Sequence, residues 1–353
     1  MKEFWSTRAK SLTPYVPGEQ PKGRTFIKLN TNENPYPPSP MALAAIREAA
    51  CESLRLYPDP ECTSLREALA ATYDLKPEQV FVGNGSDEIL ALCFYAFFDP
   101  GRTILFPDIT YSFYPVFADL CGLSYREVPL DEYFAVPLEP FLEENGGVVI
   151  ANPNAPTGRE LSLCAIRTLL EGNPNSVVVV DEAYVDFGAG SAVELIQRYP
   201  NLVVVQTMSK SRSLAGLRVG YAMGDAGLIA ALNCVKNSFY SYPLDRLALA
   251  GAEGALRDRE YLRATTLKIA STRERTAVTL RGMGFQVSDS ASNFLFVSHP
   301  EASAKALLDG LRARGILVRW WDKPRIRDYL RITIGTDQEM EALCAALAEL
   351  VSG

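Results

Sequence analysis

Four consecutive valines, Val177–Val180, end on two carboxylates, Asp181 and Glu182, and nothing else in the 353-residue chain restricts its fold as much. A strand that is apolar on both faces must be covered on both faces, as in a parallel sheet packed between helices. Further strand candidates are Val80–Val82, Thr103–Phe106, Val148–Ala151, Leu202–Gln206 and Arg218–Met223. Helical patterns fit between most of them, the rhythm of βαβ units. The spacing predicts an α/β fold, with a mostly parallel sheet flanked by helices in a large domain.

Other segments set the domain plan. Pro14, Pro17, Pro21, Pro35, Pro37, Pro38 and Pro40 predict an extended arm over the first forty residues. Helices are expected from Met41 to about Leu54 and from Ser64 to Tyr73. A long helical pattern fills 246–282. Strands at Asn293–Val297, Ile316–Val318 and Tyr329–Thr333, with helices at Ala302–Arg314 and Gln338–Leu350, predict a smaller α+β domain. The expected division is 1–45 for the arm and the start of the small domain, 46–249 for the large domain and 250–353 for the small one.

One count excludes much chemistry. The chain has a single histidine, His299, followed by Pro300, and in that loop it reads as solvated. Ser-His-Asp and Cys-His machinery and zinc sites with two or more His ligands are therefore out, and no metal site is expected. Acid–base work falls to Lys, Tyr, Asp or Glu. Thirty-five basic against 42 acidic residues, a net charge of −7, argue against nucleic acid as a partner. Seven cysteines without a CxxC pair suit a reducing compartment. No apolar run approaches the ~18 residues of a membrane span. The N-terminus MKEFWSTRAK lacks the apolar core of a signal peptide, so a cytoplasmic location is expected.

Three sheet-edge segments could carry chemistry. Gly83-Asn84-Gly85-Ser86-Asp87-Glu88 is a glycine-rich turn leading into a helix, whose free N–H groups suit a phosphate. Ser86 is equally well explained as a plain helix cap. Asp181 stands at the C-terminal end of a buried strand, where open α/β sheets bind ligands, or where a capping carboxylate could sit. Thr207–Arg218 packs Lys210, three serines and two arginines after another buried strand, a setting for a Schiff-base lysine or for an exposed basic loop. Taken together, an anion site, a carboxylate and a lysine suit pyridoxal 5′-phosphate, which needs an amine for its aldehyde, a phosphate cradle and a partner for its ring nitrogen.

The order GNGSDE, NPNAPTG, VVVDEAY, SKSRSLAGLR resembles the fold-type I pyridoxal-phosphate enzymes of the aspartate aminotransferase superfamily. LTPYVPGEQP, LNTNENPYPPSP, RLYPDP, SNFLFV and LVRWWDKPRIRDYLRITIGT narrow the resemblance to the histidinol-phosphate aminotransferases along nearly the whole chain. The resemblance implies that Lys210 binds the cofactor covalently and moves the proton, that Asp181 pairs with the ring nitrogen and that Tyr184 bonds the ring's 3′-oxygen. It implies Tyr111 stacked on the ring, and Gly85, Ser86, Asp87, Ser209 and Arg218 as phosphate ligands. Tyr57 is implied to reach the phosphate of a neighbouring subunit in a homodimer with shared active sites. Tyr15, Arg319 and Arg331 are implied to hold the phosphate of histidinol phosphate, with Arg331 also taking a carboxylate of 2-oxoglutarate or glutamate. Arg325 and Arg327 read as solvated. The family often has Asn before Pro-Thr-Gly as a second ligand of the 3′-oxygen. Here that position is Ala155, so either Asn154 substitutes or Tyr184 serves alone. An aromatic amino-acid aminotransferase and a threonine-phosphate decarboxylase are the alternatives within the same subfamily.

Overall fold

The computed structural model describes residues 3–20 and 26–352. Pro21 of the expected arm lies outside the described residues. Among the described residues the strands are, in chain order, β1 (Ile27–Lys28), β2 (Val80–Gly83), β3 (Ile104–Pro107), β4 (Tyr125–Val128), β5 (Gly147–Ala151), β6 (Val178–Asp181), β7 (Leu202–Thr207), β8 (Gly220–Gly224), β9 (Gln286–Val287), β10 (Phe294–Ser298), β11 (Ile316–Leu317) and β12 (Tyr329–Thr333). Seven of them form one sheet in the order β2–β8–β7–β6–β5–β3–β4, in which only β8 runs antiparallel to its neighbours.

The valine run behaves as its composition demands. Val178 and Val180 enter the core on one face of the sheet, and Val179 enters the core on the other. Val148/Ile150 against Val149, and Leu202/Val204 against Val203/Val205, repeat this alternation. Helices Pro40–Ala49, Thr63–Tyr73, Leu163–Gly172 and Arg246–Arg257 cover the first face. Helices Gly85–Phe97, Tyr114–Cys121 and Ala226–Phe239 cover the second.

A separate core joins Leu29 to Ile269, Leu280, Leu295, Val297, Leu307, Leu330, Ile332 and Leu343. It holds the antiparallel sheet β12–β10–β9 and the parallel pair β1–β11. Residue 250 lies inside helix Arg246–Arg257, whose Ala248, Ala252, Ala255 and Leu256 pack with the large sheet. The long helical pattern is two helices, because the Asp258 side chain accepts from the N–H of Tyr261 and starts a new one, Arg259–Gly282. The arm likewise contains a short helix, Thr7–Ser11, capped by Ser6. His299 is half-buried rather than solvated. Its Nδ1 accepts from the N–H groups of Glu301 and Ala302, and its ring packs edge-on against Phe285 at 4.9 Å. Among the described residues no helix is long and apolar enough to cross a membrane.

Register decides where the chemistry collects. Gly83 and Thr207 both pair with Gly220, and Ala151 pairs with Asp181, so the loops after β2, β5 and β6 and the loop joining β7 to β8 leave the sheet at one edge. The small domain and the arm close over that edge.

Candidate active site

A cavity of about 570 Å³ opens between the sheet edge, the small domain and the arm. Lys210 lies on its wall in the turn between β7 and β8, and its Nζ donates to the carbonyl of Thr31 at 3.2 Å. The turn is held from two sides. Met208 and Leu214 bond Val219 and Met208 within it, and Asn34 of the arm donates to the carbonyls of Lys210 and Ser211. Burial, with the nearby Arg331 charge, pushes the Lys210 ammonium from the usual 10.5 down to about 8. A group whose folded pKa is depressed costs stability below that pKa, and the cost fades as pH rises toward the unfolded value. At pH 7 it amounts to up to about 3 kcal/mol. Cofactor-free Lys210→Met protein is therefore expected to melt a few degrees above the unsubstituted protein at pH 7. Melting curves should show that lead shrinking toward pH 10; an unchanged lead would place its origin in packing instead.

Asp181 ends β6, buried, with Tyr114 donating to Oδ2 at 2.9 Å and the Ala183 N–H donating to Oδ1 at 3.2 Å. Burial dominates these two bonds and pushes its carboxyl from 3.8 up to about 6. No cationic side chain pairs with it among the described residues. Glu182, one residue on, faces the opposite side of the sheet. There it accepts from Ser191, the Ala192 N–H and Gln206, in a purely structural network.

The loop after β2 could hold an anion. Gly85 and Gly220 permit it: a Cβ on Gly220 would lie 2.5 Å from the Gly85 carbonyl carbon, and Gly85 has φ +82. Gly85, Ser86 and Asp87 form the first turn of their helix, where N–H groups have no intrahelical acceptor. Ser86, Thr207, Ser209 and Arg218 line the cavity beside it. Arg218 reaches Ser209 Oγ at 3.3 Å and Asp87 Oδ2 at 3.0 Å. The Asp87 carboxylate also accepts from Tyr111 at 2.6 Å, so Asp87 can serve an anion through its main chain rather than its side chain. Burial and then that carboxylate push the Tyr111 hydroxyl well above its usual range, which keeps it neutral.

At the far wall Arg319 and Arg331 form an isolated antiparallel bridge, each N–H bonding the other's carbonyl. Their guanidiniums stand over Trp321 at 5.3 and 5.2 Å. The side chain of Arg319 donates to the Val16 carbonyl and that of Arg331 to the Asn30 carbonyl. Among the described residues neither meets a carboxylate, and the buried Arg331 Nε has no hydrogen-bond partner. Tyr15, stacked on Phe113 at 4.3 Å, lines the same wall.

The model for "Aminotransferase class I and II" matches residues 24–347. A histidinol-phosphate aminotransferase of Clostridium acetobutylicum is 53% identical over all of both chains. That of Chromohalobacter salexigens is 57% identical over 98% of this chain and 99% of its own. The chain belongs to the histidinol-phosphate aminotransferase family. The crystal structure of the Sinorhizobium meliloti member, in complex with pyridoxal 5′-phosphate, superposes with a TM-score of 0.90 at 28% identity, covering 99% of this chain and 98% of the other.

Within this family frame, two sequence expectations need correction. Asn154 does not line the cavity: its amide accepts from Thr110 and donates to the Ile109 carbonyl and to Thr157, which uses it in fixing the loop. Both of its neighbours, Pro153 and Ala155, reach the cavity. Arg325 is not simply solvated, since it pairs with Asp108 at 2.8 Å, bonds the carbonyls of Leu130 and Asp131, and borders the cavity. Arg327, by contrast, is an exposed arginine near Asp322. Tyr57 is 76% exposed, stacked on Tyr242, and outside this chain's own cavity.

Sequence reasoning passed over Tyr114, Thr31, Asn32 and Trp321. Tyr114 resembles any core aromatic, and the arm asparagines look like turn formers. The one available signal was the alternation Asn30-Thr31-Asn32-Glu33-Asn34, which is too regular for a turn.

Proposed function

We propose that the chain transfers the amino group of L-histidinol phosphate to 2-oxoglutarate, giving imidazole-acetol phosphate and L-glutamate in histidine biosynthesis, with pyridoxal 5′-phosphate as resident cofactor. The observation that carries the substrate is the Arg319–Arg331 pair. Two unneutralised guanidiniums face the cavity that contains Lys210, and a phosphate dianion satisfies both through paired charge-assisted bonds.

The residues present fit the cofactor. Asp181 meets no cation among the described residues, Ser86, Ser209 and Arg218 gather donors at the start of a helix, and Lys210 is a buried amine on the same cavity wall. When bound, the cofactor supplies an aldehyde that condenses with amines and a ring that accepts an electron pair. Asp181 keeps the ring nitrogen protonated by offering it a negative charge in a water-poor site. Ser86, Ser209 and Arg218 anchor the phosphate, and Tyr111 covers the ring. Lys210 Nζ, with a pKa close to neutral, takes the proton from the substrate carbon and returns it elsewhere. Tyr184 faces the ring oxygen. Arg319, Arg331 and Tyr15 orient the substrate through its phosphate. In the second half-reaction Arg331 takes the α-carboxylate of 2-oxoglutarate.

Exposed Tyr57 supports a homodimer in which it completes the partner's phosphate site. The seven thiols, all free, suit the cytoplasm as its location.

The two arginines separate the substrate readings. Each should supply charge-assisted bonds worth roughly 1.5–3 kcal/mol. Losing one should cut kcat/KM for histidinol phosphate about ten- to a hundredfold. Arg331→Ala is expected to damage both half-reactions, and Arg319→Ala mainly the one that binds a phosphate. The half-reactions can be followed separately by cofactor absorbance. If Arg319→Ala spares histidinol phosphate and removes activity on phenylalanine or tyrosine, the aromatic aminotransferase is the correct reading.

A further inference from the structure

Asn32 belongs to the arm, yet it is buried and has φ 57. Its hydrogen bonds can be assigned from one donor whose direction is certain. The Asn32 main-chain N–H donates to Thr333 Oγ1 at 3.0 Å. That hydroxyl has a single proton, and the acceptor 3.0 Å away is Asn32 Oδ1. The amide is therefore oriented with its oxygen toward Thr333 and its NH2 toward Tyr184, where Nδ2 donates to the phenolic oxygen at 2.9 Å. A phenol that accepts there must send its own proton elsewhere. Tyr184 lines the cavity, and the described residues offer its hydroxyl no other partner. Its ring is fixed edge-on against Phe294 at 5.1 Å. Of residues 151–156, those reaching the cavity are Ala151, Pro153, Ala155 and Pro156, and none carries a side-chain donor.

We infer that Thr333 and Asn32 are positioning residues that aim the Tyr184 O–H into the cavity, so that it donates to the 3′-oxygen of the cofactor ring. The inference rests on the reading that Tyr184 faces that oxygen. In this left-handed conformation the Asn32 main chain and amide meet the same hydroxyl. Thr333 is two residues from Arg331 on β12, so both side chains leave the same face of one strand. The strand that holds the substrate's anion thus also sets a proton on the cofactor side.

The readout is the pH midpoint at which the cofactor-loaded enzyme changes colour. A donor to the ring oxygen offsets its negative charge and loosens the proton held on the neighbouring nitrogen. Loss of that donor raises the midpoint. Lys210, Arg331, Asp181 and Asp87 also act on this region and stay unchanged in every variant. Tyr184→Phe should raise the midpoint by about one pH unit, the size expected for one hydrogen bond. Thr333→Val should raise it by a comparable amount, because the freed amide can turn its oxygen to Tyr184 and draw the phenolic proton away. Thr333→Ser should restore the original midpoint. In the Tyr184→Phe background, Thr333→Val should have no further effect.

Should Thr333→Val not fold, Asn32→Gly gives the same test without adding a charge and keeps the positive φ. It removes the amide that holds the Tyr184 oxygen, and its shift should likewise vanish with Phe at 184. If Tyr184→Phe leaves the midpoint unchanged, Tyr184 does not face the ring oxygen and the inference falls with that reading. If Tyr184→Phe shifts it and Thr333→Val does not, or if either second-site shift persists without the phenol, the positioning role alone is overturned.

Discussion

Lys210→Ala is expected to lower turnover by at least about 10⁴-fold, the upper range for removal of a positioned acid–base, while the cofactor still binds. The size follows from the surroundings. Burial and Arg331 bring the Lys210 amine close to neutrality. The Asp181 carboxyl is also moved toward neutrality, but it is committed to Tyr114 and the Ala183 N–H. Tyr111 and Tyr184 are both pushed above their usual range, and His299 lies in the turn beyond β10. The cradle of Ser86, Ser209 and Arg218 remains intact in this variant, so phosphate anchoring survives. Difference spectra should show bound cofactor without the visible absorption of its lysine-linked form. A variant with unsubstituted turnover would remove Lys210 from the mechanism.

Asp181→Asn should slow both half-reactions by about 10²–10³-fold or more, on the scale of losing one preorganised electrostatic partner in a dry site. Asn keeps the shape, so it can still bond Tyr114 and the Ala183 N–H, and what it loses is the charge. The carboxyl also predicts a pH limit. Its folded pKa lies above the unfolded one, so the ionised form is disfavoured in the empty protein as pH rises through about 6. A ring cation relieves that cost, and the gain in melting temperature on adding cofactor should be larger at pH 7 than at pH 5. Normal half-reaction rates in Asp181→Asn would make the residue structural.

What the sequence reveals of this molecule follows from how local each signal is. The valine run, the glycine turn and the lysine loop are short segments whose composition matches a strand, a helix start and a tight turn, and each lies where its chemistry placed it. β4 was invisible because Tyr125–Val128 is an edge strand, half exposed and rich in charge. Helix Ala226–Phe239 was passed over although its Ile229 and Leu232 pack under the sheet. The break at Asp258 depends on one side chain capping a new helix inside an unbroken helical pattern. At the site, Lys210 and Asp181 stood out as candidates because charge follows a buried strand, Arg331 came only from the family resemblance, and all three line the cavity. Asn32, Tyr114 and Arg325 did not stand out, since their partners are distant in sequence: Asn32 meets Thr333, Tyr114 meets Asp181 and Arg325 meets Asp108. Asn154 misled because an asparagine beside the expected position can equally well tie its own loop together.

The cavity wall joins residues 301 positions apart, Arg331 to Asn30 and Asn32 to Thr333. That distance sets an order of events during synthesis. A chain grows from its N-terminus at about 5–20 residues per second, and domains tend to fold as they emerge. The lysine loop, the cradle and Asp181 all belong to the sheet and exist as sequence well before β12 has been made. The arm must wait, translated first and seated last, until β11 and β12 give it a surface. A polypeptide that ends before Arg319 would therefore contain the reactive amine and the carboxylate but neither of the arginines that choose a substrate for them. Selectivity is the last property the growing chain acquires.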